Sequence, residues 1–235
     1  MRRLGPLYGG AVALVHSTPL TWAAVGDEAR SPGWVIALGL PIGIIAYVVA
    51  ALAKGCGFPP AIAGLLGLAT LTIASAGLIE RGVVERLDRT AELRSPTVTA
   101  ILVLIFLTLV RAAAVISTPP RAWLGIFVAT AITGRWAAVF LQSLGDPIVD
   151  DRAPRSLVAT PAPLWLTAAL SGGVLALDII GLGKAGVVVI ALAAAVVFGL
   201  GLDAQRRDRG LSSPIVACAA AAGELLVLLL ATLHA

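Results

Sequence analysis

Runs of about 20 apolar residues, the length a helix needs to cross the roughly 30 Å hydrocarbon core of a bilayer, recur along this chain. They occupy residues 34–53, 59–79, 97–116, 122–141, 163–181, 184–202 and 214–233. Each run is apolar all round the helical wheel rather than on one stripe, so each asks for lipid or other helices on every side. Barrel strands would instead alternate apolar and polar residues in shorter segments, and lipid leaves helices and closed barrels as the only spanning forms. With 59% hydrophobic and 13% charged residues, the chain has too few polar groups to cover a soluble domain. The expected fold is an all-α, polytopic integral membrane bundle of about seven transmembrane helices. Connectors of about 15–20 residues at most leave no room for a soluble insertion, so residues 1–235 read as a single membrane-embedded domain.

Orientation follows from lysine and arginine. The basic-rich connectors are the one holding Arg81, Arg86, Arg89 and Arg94, the one holding Arg152 and Arg155, and the one holding Arg206, Arg207 and Arg209. They alternate with connectors carrying only Lys54, Arg121 or Lys184. Basic-rich loops stay in the cytoplasm, which predicts a multi-pass protein of the cytoplasmic (inner) membrane with a cytoplasmic N-terminus. The oily segment 4–25 then cannot span without breaking the alternation. Its Gly5, Pro6, Gly9, Gly10 and Pro19 suit a re-entrant or interfacial segment, and no cleavable signal is expected. The net charge of +4 is spread over several connectors, so the expected partner is the lipid bilayer with its anionic headgroups, not nucleic acid. Cys56 and Cys218 lie far apart and have no metal-ligand spacing.

Four charges fall inside the apolar runs: Arg111, Arg135, Asp178 and Glu224. A charge at the bilayer centre costs about 2.5–3.5 kcal/mol on insertion scales, so such residues face the bundle interior or reach for the interface. Arg111 and Asp178 lie toward the ends of their runs and are expected to be interfacial anchors or a mutual ion pair. Arg135, beside Thr133 and Gly134, is the arginine with room for a ligand or a helix to approach. Glu224 sits mid-run beside Ala217, Ala220 and Ala221, a small face suited to close helix packing. His16 reads as a turn or interface histidine.

The stretch AGLIERGVVERLDRTAELRSP, residues 76–96, carries eight charges between two apolar runs. Continued as a helix from the second run, it places Arg81, Glu85, Asp88 and Glu92 on one face at 100° per residue. Two readings stay open. Carboxylates on one stripe suit Mg²⁺, which takes one or two of them together with substrate phosphate and water. Equally, Arg81 with Glu85 and Glu85 with Arg89 are i, i+4 pairs of a solvated helix.

The order of these landmarks resembles the cobalamin synthase family, adenosylcobinamide-GDP ribazoletransferase, over the full length of the chain. ALVHSTPLTWA is similar to that family's opening apolar segment, and ALGLPIGIIAYVVAALAKGCG to its first full span. The family's signature of a histidine, an Asp-Gly step and an Asp-x-x-Asp pair is matched by GLIERGVVERLDR, with Gly82, Glu85 and Asp88 at corresponding positions. Ile79 stands for the histidine and Arg81 for the first aspartate. AITGRWAAVFLQ resembles the family's arginine segment, carrying over Arg135. RRDRGLSSPIVACAAAAGELLVLLL resembles the closing segment, with Gly210 and Glu224 retained and Ser213-Pro214 in place of a Gly-Asp step.

The resemblance implies joining of adenosylcobinamide-GDP to α-ribazole, or its phosphate, with release of GMP. It implies Mg²⁺ held by Glu85 and Asp88, phosphate neutralised by Arg135, Arg94 and Arg81, and Glu224 among the substrate-binding groups. A nucleotide-linked corrinoid is then the substrate, and a second copy or a paralogous subunit the protein partner. The losses in the acidic motif leave a second reading, a catalytically inactive relative serving as membrane partner or scaffold. A small-molecule transporter is a third, although residues 34–116 and 122–202 show no internal repeat.

Overall fold

The computed structural model describes residues 31–88, 98–145, 157–159, 161–208 and 210–233, together with Leu14 and Thr18. The described regular structure is helical throughout: α1 (Pro32–Ala37), α2 (Gly39–Gly55), α3 (Pro60–Ala74), α4 (Leu78–Asp88), α5 (Val98–Ser117), α6 (Trp123–Ser143), α7 (Leu164–Leu182), α8 (Ala185–Asp208) and α9 (Ser213–Thr232), with one 3-10 turn at Pro120–Ala122. Six helical segments are long and apolar enough to cross a membrane, with α1 and α2 counted together, and a seventh if α3 and α4 are taken as one bent crossing. The chain is an all-α, multi-pass membrane protein. Most of the re-entrant or interfacial segment expected at 4–25 lies outside the described residues.

Proline sets where several helices begin. Pro32, Pro60 and Pro214 stand in the first turns of α1, α3 and α9, where an absent N–H costs nothing because no carbonyl precedes it in the helix. Residues just before them are extended, as at Pro59 with φ −53° and ψ 143°. Glycine sets where others end. Gly57 and Gly183 take φ values of 92° and 64°, a region closed to most side chains.

The second apolar run departs from the straight helix expected into Glu80–Arg94. Ala76 (φ 54°) and Gly77 (φ 63°) leave the right-handed region, and the Gly77 N–H returns 3.0 Å to the Thr72 carbonyl. This is a left-handed helix stop. The chain restarts at Leu78, with the axis of α4 turned 69° from that of α3. The expected residues Glu92 and Arg94 lie outside the described ones.

Helix α6 is the centre of the bundle, touched by α1, α2, α3, α7, α8 and α9. Its buried residues include Phe127, Ile132, Trp136 and Leu141. Lipid supplies no hydrophobic force between helices, so close packing of small residues must hold them together. Gly43 of α2 shows how close: a β-carbon there would sit 2.5 Å from the Cα of Val128 on α6. Around this centre, α5 and α7 turn Leu102, Phe106, Leu109 and Ile180 outward, an apolar exterior suited to lipid contact. At one end, Gln142 of α6 clasps the segment 157–159: its Oε1 accepts from the Ala159 N–H at 2.7 Å, and its Nε2 donates to the carbonyls of Ala138 (2.8 Å) and Leu157 (3.3 Å).

Candidate functional site

The site is assembled around the break between α3 and α4. Because α4 restarts at an angle, its buried face of Leu78, Ile79, Gly82 and Val83 lies against α9 and α5. Gly82 is the point of contact with α9, where an added β-carbon would collide with the Ala217 methyl group. Gly134 on α6 plays the same part on the other side of α9, its missing β-carbon leaving space for Glu224, whose Cγ would otherwise be 2.5 Å away. Two glycines thus let α4, α6 and α9 close on one point.

Four charged side chains meet there. Arg111 of α5 donates from Nη1 to Glu80 Oε1 of α4 at 2.7 Å and from Nη2 to Glu224 Oε2 of α9 at 2.6 Å. Thr72, at the end of α3, adds a hydroxyl bond of 3.0 Å to the same Glu80 oxygen. Arg135 of α6 donates from Nη2 to Ser75 Oγ in the break (3.0 Å) and from Nη1 to the Ala131 carbonyl (3.1 Å). It makes no direct ion pair, but its charge and that of Glu224 interact. Two arginines and two glutamates sum to zero, which is what lets such a group sit inside a membrane bundle. Arg111, Arg135 and Glu224 are almost completely buried. Three atoms in the group still have no partner: Glu80 Oε2, Arg111 Nε and Arg135 Nε.

This arrangement corrects the expectation for Arg111 and Asp178. They are neither interfacial anchors nor a mutual pair. Snorkelling needs a side chain on the lipid side of its helix, and Arg111 instead lies on the face of α5 that packs against α4 and α9. Asp178 is wholly buried and accepts a 2.7 Å hydrogen bond from Thr133. Glu224 has the structural partner its small-residue surroundings suggested.

The acidic motif itself divides between two environments. Glu80 turns inward to Arg111. Arg81 and Glu85, on the other face of α4, form an i, i+4 pair at 2.5 Å with side chains 72% and 40% exposed. Asp88 is half-buried at the end of α4, and Arg86 reaches Asp203 of α8 at 3.4 Å. Of the residues singled out in the sequence, the structure brings Arg135 together with Glu224 and Arg81 together with Glu85. Arg94 lies outside the described residues.

Among the described residues, no three His, Cys, Asp or Glu side chains are close enough together to hold a metal ion. Magnesium asks for less, one or two carboxylates and the phosphate of a substrate. Glu85 and Asp88, a turn apart on α4, meet that requirement in kind. Glu85 is engaged only by an exposed arginine, a pair of a type worth about 0.2–1 kcal/mol, so little opposes its exchange for a metal-bound phosphate.

Glu80 was not singled out by sequence reasoning. It is the first charge after the second apolar run, and the signal that could have found it is its distance of one helical turn from the Ala76-Gly77 stop. Compared with known proteins, the chain matches no family model, no curated relative and no solved structure.

Proposed function

We propose that this chain is a cobalamin synthase-like membrane transferase, joining adenosylcobinamide-GDP to α-ribazole or its phosphate with release of GMP. The observation that carries this reading is convergence. The three segments that resemble the family after its first span, on α4, α6 and α9, are far apart in sequence yet meet at Glu224, with Gly82 and Gly134 at the closest approaches. In this reading the protein lies in the cytoplasmic membrane with its N-terminus and the exposed face of α4 on the cytoplasmic side.

The reaction is attack of the ribazole hydroxyl on the cobinamide phosphorus, with cleavage of its bond to GMP and loss of the hydroxyl proton. Such transfers depend on positioning and charge neutralisation more than on covalent chemistry. Arg81 exchanges Glu85 for a phosphate oxygen of the substrate. Glu85 and Asp88 then hold Mg²⁺, which supplies neutralisation of the diphosphate charge. Arg135 and Glu224 act from within the bundle, Arg135 by adding positive potential beside the break and Glu224 by fixing α9 against α6.

The test is rescue of cells lacking their own cobalamin synthase, together with GMP release by the purified protein in lipid given adenosylcobinamide-GDP, α-ribazole and Mg²⁺. Growth and GMP release are expected, and both should be lost in Glu85→Ala and Asp88→Ala variants that still reach the membrane. One observation favours a second reading: Arg81 stands where the family has its first aspartate, and it occupies Glu85. Absence of rescue and of GMP release from well-expressed protein would refute the transferase and support a non-catalytic partner subunit. Co-purification with a paralogous membrane protein would then identify that partner.

A further inference from the structure

Away from the charge group at the α3–α4 break, a second carboxylate is enclosed by α6, α7 and α8. Asp178 of α7 has no exposed surface. Its Oδ2 accepts from the Thr133 hydroxyl of α6 at 2.7 Å, while Oδ1 has no partner. On the third side, Gly186 of α8 presses so close that a β-carbon there would lie 2.5 Å from the Asp178 carbonyl carbon.

The charges on the enclosing helices do not reach it. Helix α7 has no other charged residue, and on α8 the first is Asp203, near the far end. The one charge on α6 is Arg135, whose bonds go to Ser75 and Ala131. Lys184, in the turn between α7 and α8, is exposed. Among the described residues no cation forms an ion pair with Asp178. An ionised carboxylate would face one neutral hydroxyl in a medium that solvates charge poorly, whereas a carboxylic acid accepts the same hydroxyl bond without burying a charge.

We propose that Asp178 and Thr133 form a proton-binding site within the membrane, in which the carboxyl group carries its proton at neutral pH. The site is independent of any reaction at α4. Its ligand is a proton because the tight approach of Gly186 and the single hydroxyl partner offer no set of oxygens for a metal cation, which takes six or more.

The experiment is infrared spectroscopy of the full chain in lipid bilayers at neutral pH. A carboxylic-acid C=O stretch is expected in the wild type, absent from Asp178→Asn and kept in Glu224→Gln, whose parent carboxylate is paired with Arg111. Thr133→Val, close in shape, should retain the band and move it to higher frequency by removing the hydrogen bond. The proposal is overturned if the wild type shows no such band, if the band survives in Asp178→Asn, or if Thr133→Val leaves its frequency unchanged. A band that appears only when sodium is withdrawn would also overturn it, since the site would then hold a metal cation.

Discussion

Replacing Arg111 with methionine removes the shared partner of two carboxylates whose side chains are only 16% (Glu80) and 3% (Glu224) exposed. Removing one member of a buried ion pair costs about 3–5 kcal/mol, because the opposite charge remains buried without compensation. The group falls from zero net charge to −1: Arg135 remains against Glu80 and Glu224. Of the two glutamates, Glu80 is the more stranded, since Thr72 is its one remaining described partner, whereas the charge of Arg135 still acts on Glu224. Adding Glu80→Gln therefore returns the group to neutrality, and the amide oxygen can still accept from Thr72. The double variant should regain about 1–3 kcal/mol of the loss, the range found for residues coupled in one network. Unfolding by sodium dodecyl sulfate in mixed micelles, followed by tryptophan fluorescence and far-ultraviolet circular dichroism, gives both differences. The reasoning fails if Arg111→Met lies within about 1 kcal/mol of the wild type, the size of an unremarkable substitution. It fails equally if Arg111→Met/Glu80→Gln is no more stable than Arg111→Met.

The same unfolding assay tests the packing. Gly134→Ala places a methyl group 2.5 Å from the Glu224 Cγ and 3.2 Å from the Ala220 carbonyl oxygen, and a loss of about 1–3 kcal/mol is expected from overpacking. Gln142→Leu strands the buried Ala159 N–H and should cost about 1–3 kcal/mol, with proteolysis near residues 157–159 accelerated before global unfolding. Arg81→Ala removes a pair whose members are 72% and 40% exposed; a stability change under about 1 kcal/mol, shrinking further with salt, is expected. A larger, salt-independent loss would show that Arg81 has a partner inside the bundle.

Apolar length made the helices legible. The run 97–116 became Val98–Ser117, 163–181 became Leu164–Leu182, and 214–233 became Ser213–Thr232, because twenty residues without a solvated face leave a chain in lipid one regular option. The stop at Ala76-Gly77 was hidden for the opposite reason: Ser75, Ala76 and Gly77 are as compatible with an apolar helix as with its end, and only the backbone conformation distinguishes them. The candidate site was half legible. Arg135 and Glu224 stood out as charges in mid-run, but that Arg111 would join Glu224 to Glu80 depends on which faces of α5 and α4 turn inward. Hydropathy carries no information on that choice when, as on α5, every face is apolar. Asp178 was misread because position along a helix was taken to decide its environment, when its rotation toward Thr133 does.

The enclosure of α6 has a consequence for how the protein is made. A helix with Arg135 at its core and almost no surface left for lipid is synthesised before α7, α8 and α9, which complete its surroundings. On leaving the translocon it has α2 against one flank and nothing yet to offer the opposite one, and Glu224 is added only with the last helix. Ribosomes halted before Ser213 should therefore display α6 in an immature setting, still associated with the insertion machinery, and the final twenty-odd residues act as the closing piece of assembly as much as a part of the finished wall.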